Sequence, residues 1–409
     1  MTLKVLQINT SDVVGSRFNN FDIRHLLAAE GVESAHLVWN KLSNSPDSRR
    51  FFDLPGARLA NKVIGRLESM LSIHSRLQWQ AYALALSNAY RTADIVHFHI
   101  IHDGYFSLDA LRFLTRGKPS VWTWHDPWPM TGHCIYSLEC ERWQKGCGQC
   151  PSLDLPFAMR KDRTAEQFAW KKRVVAESRA QIVVASSHMR DMAARSPIAA
   201  GQSIEVIPFG IDLKRFHPVD PQPAQARLGV LPGRLVIGVR AFADSPYKGF
   251  EYVVEALRRL PNMGVPLTIL TTHGKGHLNE FIGRHQVIDL GWVNDDATMM
   301  DSFAATDIFL MPSTAEAFGM MAIEALAFAK PIIVFEGTAL PEVAGAPDVA
   351  IATPMRDAAS LAEAIERLVR SPDERQRRGA AGRRWAETHY SDGDFARKMA
   401  ALYRKVAQR

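Results

Sequence analysis

Between Ser313 and Pro331 two glutamates, Glu316 and Glu324, stand eight residues apart around what reads as a helix start. From about Phe318 to Phe328 nearly every residue is apolar or small, which makes a helix with no polar face, buried on all sides. A carboxylate inside such a helix costs several kcal/mol unless a polar group meets it, so Glu324 points to a ligand or to a buried ion pair. Ser313 and Thr314 are placed to cap, Gly319 lets a ligand approach the backbone, and the first amides of the helix suit a phosphate. Glu324 then lies roughly 7 to 8 Å along the axis, while Glu316 stays in the preceding loop. A phosphate between two carboxylates matches a nucleotide sugar, whose diphosphate is flanked by a ribose and a hexose that donate hydroxyl hydrogen bonds. A capping Glu316 with a structurally paired Glu324 would show the same spacing.

A second cluster is Cys134, Cys140, Cys147 and Cys150, the only cysteines of the chain, spaced Cys-x5-Cys-x6-Cys-x2-Cys within the segment 131–151. Four thiols this close, one pair with glycine beside it, offer what a tetrahedral structural Zn2+ needs in a reducing compartment; free thiols or disulfides are the alternatives. They are too local to staple a secreted fold.

The elements that must position these residues follow from periodicity. Lys4–Asn9, Ala35–Trp39, Asp94–His99, Ser120–Trp124 and Gln181–Ala185 read as strands, with helices over Asp162–Ser178 and Ser187–Arg195. Ile204 to Pro208 leads into a boundary rich in proline, Pro218, Pro221 and Pro223. Alternation then restarts, with strands at Leu235–Arg240, Leu267–Thr271, Val287–Leu290, Ile308–Met311 and Ile332–Phe335, and helices from about Phe250, Asn294, Phe318, Ala358 and Asp373. Short strands alternating with helices imply parallel sheets, hence an α/β chain. The expected domains are 1–205, carrying the cysteine segment, and 206–390, followed by a basic amphipathic helix over 391–409. The loop after the first strand, with Gly15, falls where doubly wound sheets bind ligands; a tight turn is the plainer reading.

At 409 residues and 47% hydrophobic content the chain can build two or three cores. A net charge of +6 favours acidic partners, but no single basic tract forms, so nucleic acid is not implied. With no signal segment and no apolar run near the roughly 20 residues that span a bilayer, a cytoplasmic protein is expected. Arg49, Arg50, Lys62 and Arg66 alternate with Phe51, Phe52, Leu59, Val63, Ile64 and Leu67, a pattern that suits either an anionic membrane surface or a surface helix packed on the sheet.

Glu316-x7-Glu324, with Phe318-Gly319 between and Lys330-Pro331 after, resembles the signature of retaining glycosyltransferases of the GT-B fold, family 4. Val206-Ile207-Pro208-Phe209-Gly210-Ile211-Asp212 resembles that family's interdomain segment, and Gly238-Val239-Arg240 with Lys248-Gly249 its donor-phosphate pair. The chain departs from it at Phe209, where asparagine is usual, and at Phe328-Ala329, where a small residue and glycine are usual. The resemblance implies two Rossmann-like domains facing across a cleft and a terminal helix that returns to the first. It implies that Arg240 and Lys248 neutralise the departing diphosphate and that His125 lies beside the reacting sugar carbon, with His99 its competitor. Gly15, Phe318, Gly319, Met320 and Glu324 would bind the donor, and Glu316 would grip its sugar. The cysteine segment resembles an insertion in a bacterial surface-polysaccharide branch, so a lipid-linked saccharide acceptor and peripheral attachment to the inner membrane face are implied. No Asp-x-Asp motif falls where a metal-dependent transferase would need one. Nucleotide-sugar epimerases share this two-domain fold and form the alternative; a zinc-dependent binding module on the cysteines is the weaker one.

Overall fold

The computed structural model describes residues 2–52, 56–239, 243–293 and 295–408. They form two compact units, Met1–Gly210 with Asp392–Arg409, and Ile211–Ser391. The divisions fall a few residues from those expected, after Gly210 and after Ser391.

The first unit holds a seven-stranded parallel sheet made of β1 (Leu3–Ser11), β2 (Val32–Asn40), β3 (Ser48–Arg50), β4 (Ile95–Phe98), β5 (Ser120–Thr123), β6 (Gln181–Val184) and β7 (Ile204–Val206). Their order is β3-β2-β1-β4-β5-β6-β7. Strands β4, β5 and β6 are buried along their whole length, as a parallel sheet covered on both faces requires. Strands β3 and β7 escape sequence reading because each is a three-residue edge strand without an apolar run. The last helix, Asp392–Ala407, belongs to this unit. Its Tyr403 is fully buried, and the hydroxyl accepts from Gln7 Nε2 at 3.1 Å and Asn20 Nδ2 at 2.9 Å.

The second unit holds a six-stranded parallel sheet, β8 (Leu235–Val239), β9 (Leu267–Thr271), β10 (Gln286–Asp289), β11 (Ile308–Met311), β12 (Ile332–Phe335) and β13 (Ile351–Thr353). The order is β10-β9-β8-β11-β12-β13. Ile237, Ile269, Leu310, Ile333 and Phe335 form its core with Val253, Leu257, Leu361 and Ile365 from the helices Phe250–Arg259 and Ala358–Arg370. The proline-rich stretch is not simply a linker. Pro221 opens a helix, Pro221–Arg227, capped by the Asp220 side chain, because proline's missing N–H and fixed φ suit the first helical turn. Among the described residues no helix is long and apolar enough to cross a membrane.

Candidate active site

The buried helix foreseen around Glu324 is Met320–Ala327, and Glu324 is fully buried in it. Gly319 caps it at φ +100°, where a Cβ would come within 2.5 Å of Leu340 Cδ2, so the position demands glycine. Ser313 and Thr314 do not cap this helix, because the chain runs on through Glu316 before the turn begins. The Thr314 hydroxyl instead donates to Pro246 O at 3.1 Å, and Thr314 N–H donates to Tyr247 O at 3.0 Å. These bonds fasten the loop of Glu316 to the loop of Lys248. Lys248 Nζ and Glu316 Oε2 consequently stand 2.9 Å apart, with side chains only 15% and 11% exposed. Gly249 follows at φ +63°, and a Cβ there would lie 2.0 Å from Pro312 O. Phe318 is buried and meets Tyr390 edge to face at 5.7 Å. Met320 opens the helix, half-buried. Lys248, Glu316, Phe318, Gly319, Met320 and Glu324 thus belong to one neighbourhood of the second unit. Arg240 lies outside the described residues.

The helix ends in a Schellman arrangement, Lys330 N–H to Ala325 O at 2.9 Å and Ala329 N–H to Leu326 O at 2.9 Å. Ala329 occupies the left-handed position of that motif at φ +55°. Phe328 stacks on Phe303 at 5.8 Å.

In the first unit Gly15 turns the chain after β1 at φ +80°, and Phe18 N–H returns to Gly15 O at 3.0 Å. Phe18 then lies 4.9 Å from the ring of His125, which follows β5. His125 also stacks on Phe209 at 5.6 Å and 16°, and Phe18 and Phe209 touch each other at 5.9 Å. His99 and His125 are joined rather than separate. Each ring belongs to one chain of hydrogen bonds, with His125 Nε2 3.0 Å from His99 Nδ1 and His99 Nε2 2.8 Å from Gln7 Oε1. With Gln7 Nε2 directed at Ser34 and Tyr403, its Oε1 accepts from His99, and two neutral rings then take one proton arrangement. His99 Nε2–H donates to Gln7, His125 Nε2–H donates to His99, and His125 Nδ1 keeps a bare lone pair. That Nδ1 is buried without a hydrogen-bond partner. Burial drives the His125 pKa down to about 3 against the pull of Asp126, so the ring is neutral at pH 7. It can accept a hydroxyl proton in a hydrogen bond and has no proton to give as an imidazolium acid.

Sequence reading missed what lies behind His125. Burial alone would raise the Asp126 carboxyl, yet His102 at 3.2 Å and the Trp128 N–H hold it below the usual range. Trp128 stacks on His102 at 4.7 Å. On Trp128 sits the ammonium of Lys171, 3.3 Å from the ring centre, which donates to Trp128 O at 2.7 Å. Burial pushes the Lys171 pKa down to about 7. The one sequence signal was a lysine in the middle of a helix pattern, Thr164–Glu177, at a position that turns inward.

Cys134, Cys140, Cys147 and Cys150 line one small cavity with His133, Trp143 and Thr164. All four are free thiols. Gly132 N–H donates to Cys147 Sγ at 3.2 Å, and Cys147 and Gln149 both take positive φ, which curls Cys147-Gly148-Gln149-Cys150 around the cavity. Both ring nitrogens of His133 are buried without partners. The donor set fits zinc; the arrangement does not yet, since among the described residues no group of three or more His, Cys, Asp or Glu side chains is set to hold a metal ion. Cys150 Sγ, for one, is engaged with Ser152 O at 3.5 Å.

Comparison with known proteins gives two family matches, "Glycosyltransferase Family 4" over residues 22–215 and "Glycosyl transferases group 1" over residues 242–385. A candidate colanic acid biosynthesis glycosyl transferase of Escherichia coli, WcaC, is 28% identical over 61% of this chain and 61% of its own length. The MMP alpha-(1->4)-mannosyltransferase of Mycolicibacterium hassiacum is 28% identical over 76% of this chain and 72% of its own. Among solved structures, sucrose-phosphate synthase from Thermosynechococcus elongatus superposes with a TM-score of 0.71 at 18% identity, covering 99% of both chains. Anabaena HepE in complex with UDP-glucose superposes with a TM-score of 0.64 at 14% identity, over 98% of this chain and 100% of its own.

Proposed function

Because the chain belongs to the glycosyltransferases of group 1 and family 4, with two parallel-sheet Rossmann-like units of the GT-B kind, we propose that it is a retaining, metal-independent transferase. It moves a sugar from a nucleoside diphosphate sugar to a hydroxyl of a lipid-linked saccharide in surface-polysaccharide synthesis. The observation that carries this reading is the Lys248–Glu316 pair, 2.9 Å apart and largely enclosed, at the mouth of the Gly319 helix start. A cation and a carboxylate held side by side suit such a donor: the diphosphate takes the ammonium, and sugar hydroxyls take the carboxylate.

As the anomeric carbon becomes oxocarbenium-like, the departing diphosphate gathers negative charge. Lys248, Arg240 and the amides at Gly319 neutralise it where a metal-dependent enzyme would use a divalent ion. Glu324 binds the ribose. His125, held neutral beside the reacting sugar carbon by burial and by its hydrogen bond to His99, orients the sugar without exchanging a proton. The HepE complex with UDP-glucose and the colanic acid relative support the donor class and the polysaccharide setting. Epimerisation is not carried further, since both family matches are to transferases. The four thiols are read as ligands of one structural Zn2+, whose binding would require Cys150 to release Ser152.

A thermal-shift screen of nucleotide sugars, followed by transfer to a saccharide acceptor with no added magnesium or manganese, tests the reading. A product whose anomeric configuration matches the donor's is expected. An inverted anomer, a requirement for added divalent ion, or an epimerised donor in the absence of acceptor would overturn it.

A further inference from the structure

The helix Ala57–Met70 is inside out. Its one acidic residue, Glu68, is 2% exposed and accepts from Arg76 N–H at 2.7 Å and Leu77 N–H at 2.6 Å. Asn61 likewise faces inward, donating to Gln78 Oε1 and Gly104 O at 2.7 Å each. With polar groups spent on the protein side, the apolar stripe faces solvent: Leu59 is 67% exposed, Val63 60%, Leu67 46% and Met70 61%. These residues recur at the spacing of one helix face, and Leu71, Trp79 and Leu86 in the segments that follow are exposed as well. Beside the stripe runs a row of exposed cations, Arg58, Lys62 and Arg66. From Gly56 to Ala93 the sequence contains no acidic residue except the buried Glu68. A packed surface helix of this unit would turn the stripe toward the sheet, and the structure does the reverse. Phe51, expected to share the stripe, is instead core, packed on Tyr105 and Phe106.

We infer that this face docks on an anionic lipid bilayer, with Leu59, Val63, Leu67 and Met70 entering the interface and Arg58, Lys62 and Arg66 against the headgroups. An apolar stripe edged by cations and lacking acids is complementary to a surface that is apolar beneath and anionic above. A protein partner would need acidic groups to match the cation row and a socket for the stripe; a second copy of this chain offers the same cations to each other. The inference deepens the lipid-linked acceptor reading of the proposed function and rests on it only for its biological sense. The surface itself is independent of donor chemistry.

Flotation of the full chain, without donor or acceptor, on phosphatidylcholine vesicles and on phosphatidylcholine–phosphatidylglycerol vesicles is the test. The wild type should float with the anionic vesicles at low salt, and less at high salt. The triple variant R58S/K62S/R66S should partition about 100-fold more weakly, and L59S/V63S/L67S should lose flotation at every salt concentration. All six side chains are exposed or nearly so, so both variants should keep the wild-type melting temperature and the transfer rate to a water-soluble acceptor. No flotation at low salt, equal flotation of the R58S/K62S/R66S protein, or self-association abolished in the leucine variant without vesicle binding would overturn the inference. Flotation without transfer would sink the enzymatic reading alone, and transfer without flotation this inference alone.

Discussion

The enclosed pair Lys248–Glu316 carries two opposite charges into a neighbourhood of backbone turns and apolar side chains. Removing either partner takes away a counter-charge of the other, so the substitutions must be read for folding as well as for rate. Glu316→Gln and Lys248→Ala should each lower transfer by at least about 100-fold, the scale of lost charge stabilisation in a transition state. Circular dichroism should stay native in both, and turnover near that of the wild type in both would reject the assignment. Glu324→Ala should act mainly on donor affinity; unchanged affinity by calorimetry would make Glu324 a structural group. At the far end of the same helix, Ala329 holds φ +55°, a conformation that disfavours any Cβ. Ala329→Gly should therefore stabilise the protein by roughly 0.5 to 1 kcal/mol, the strain relieved less the entropy glycine adds to the unfolded chain. A lower melting temperature would show that the methyl group's packing outweighs the strain.

At the scale of elements, the cysteine segment makes the sharpest demand. Its cavity is ringed by four thiols and the unpartnered His133, with the buried ammonium of Lys171 nearby. Gently purified, reduced protein should contain about one zinc per chain, released by a thiol-modifying reagent, because four thiolates form a closed site. Metal analysis giving none would leave the segment as free thiols. The long strands and the Met320–Ala327 helix were legible because burial on both faces leaves an unbroken apolar run, and the site glutamates because charge inside such a run is costly. The edge strands β3, β7 and β13 were not, since three residues carry no periodicity. Nor was the pairing of His99 with His125, which depends on the register of β4 beside β5. The outward turn of Leu59, Val63 and Leu67 was equally hidden. A helical repeat specifies a face but not the direction in which that face points, and Glu68 settles it only through partners eight to ten residues away.

At the scale of the molecule, the two units differ in what acid does to them. His36, His74 and His125 are lowered to about 3 by burial, and His97 and His99 well below their ordinary value. All five lie in the first unit; in the second, His285 alone among the described histidines is lowered. A folded-state pKa below the unfolded value means that the unfolded chain takes up protons first. Stability is then complete above about pH 6.5 and falls as pH drops toward 3. Each such imidazole forfeits on the order of 2 kcal/mol by pH 5, less where neighbouring rings share the charge. Hydrogen exchange at pH 7 and pH 5 should show the first unit opening at the lower pH while the second stays protected; equal protection loss would contradict this. The first unit is also discontinuous in the chain. Tyr403, whose hydroxyl meets Gln7 and Asn20 and lies 2.7 Å from His97 Nδ1, is translated only after all of Ile211–Ser391. On the ribosome, strands β1 and β4 must therefore wait with those polar groups unmet while the second unit emerges and can already fold. The order of maturation runs against the order of synthesis, and a nascent chain stalled before residue 392 should expose its first unit to chaperones and proteases but not its second.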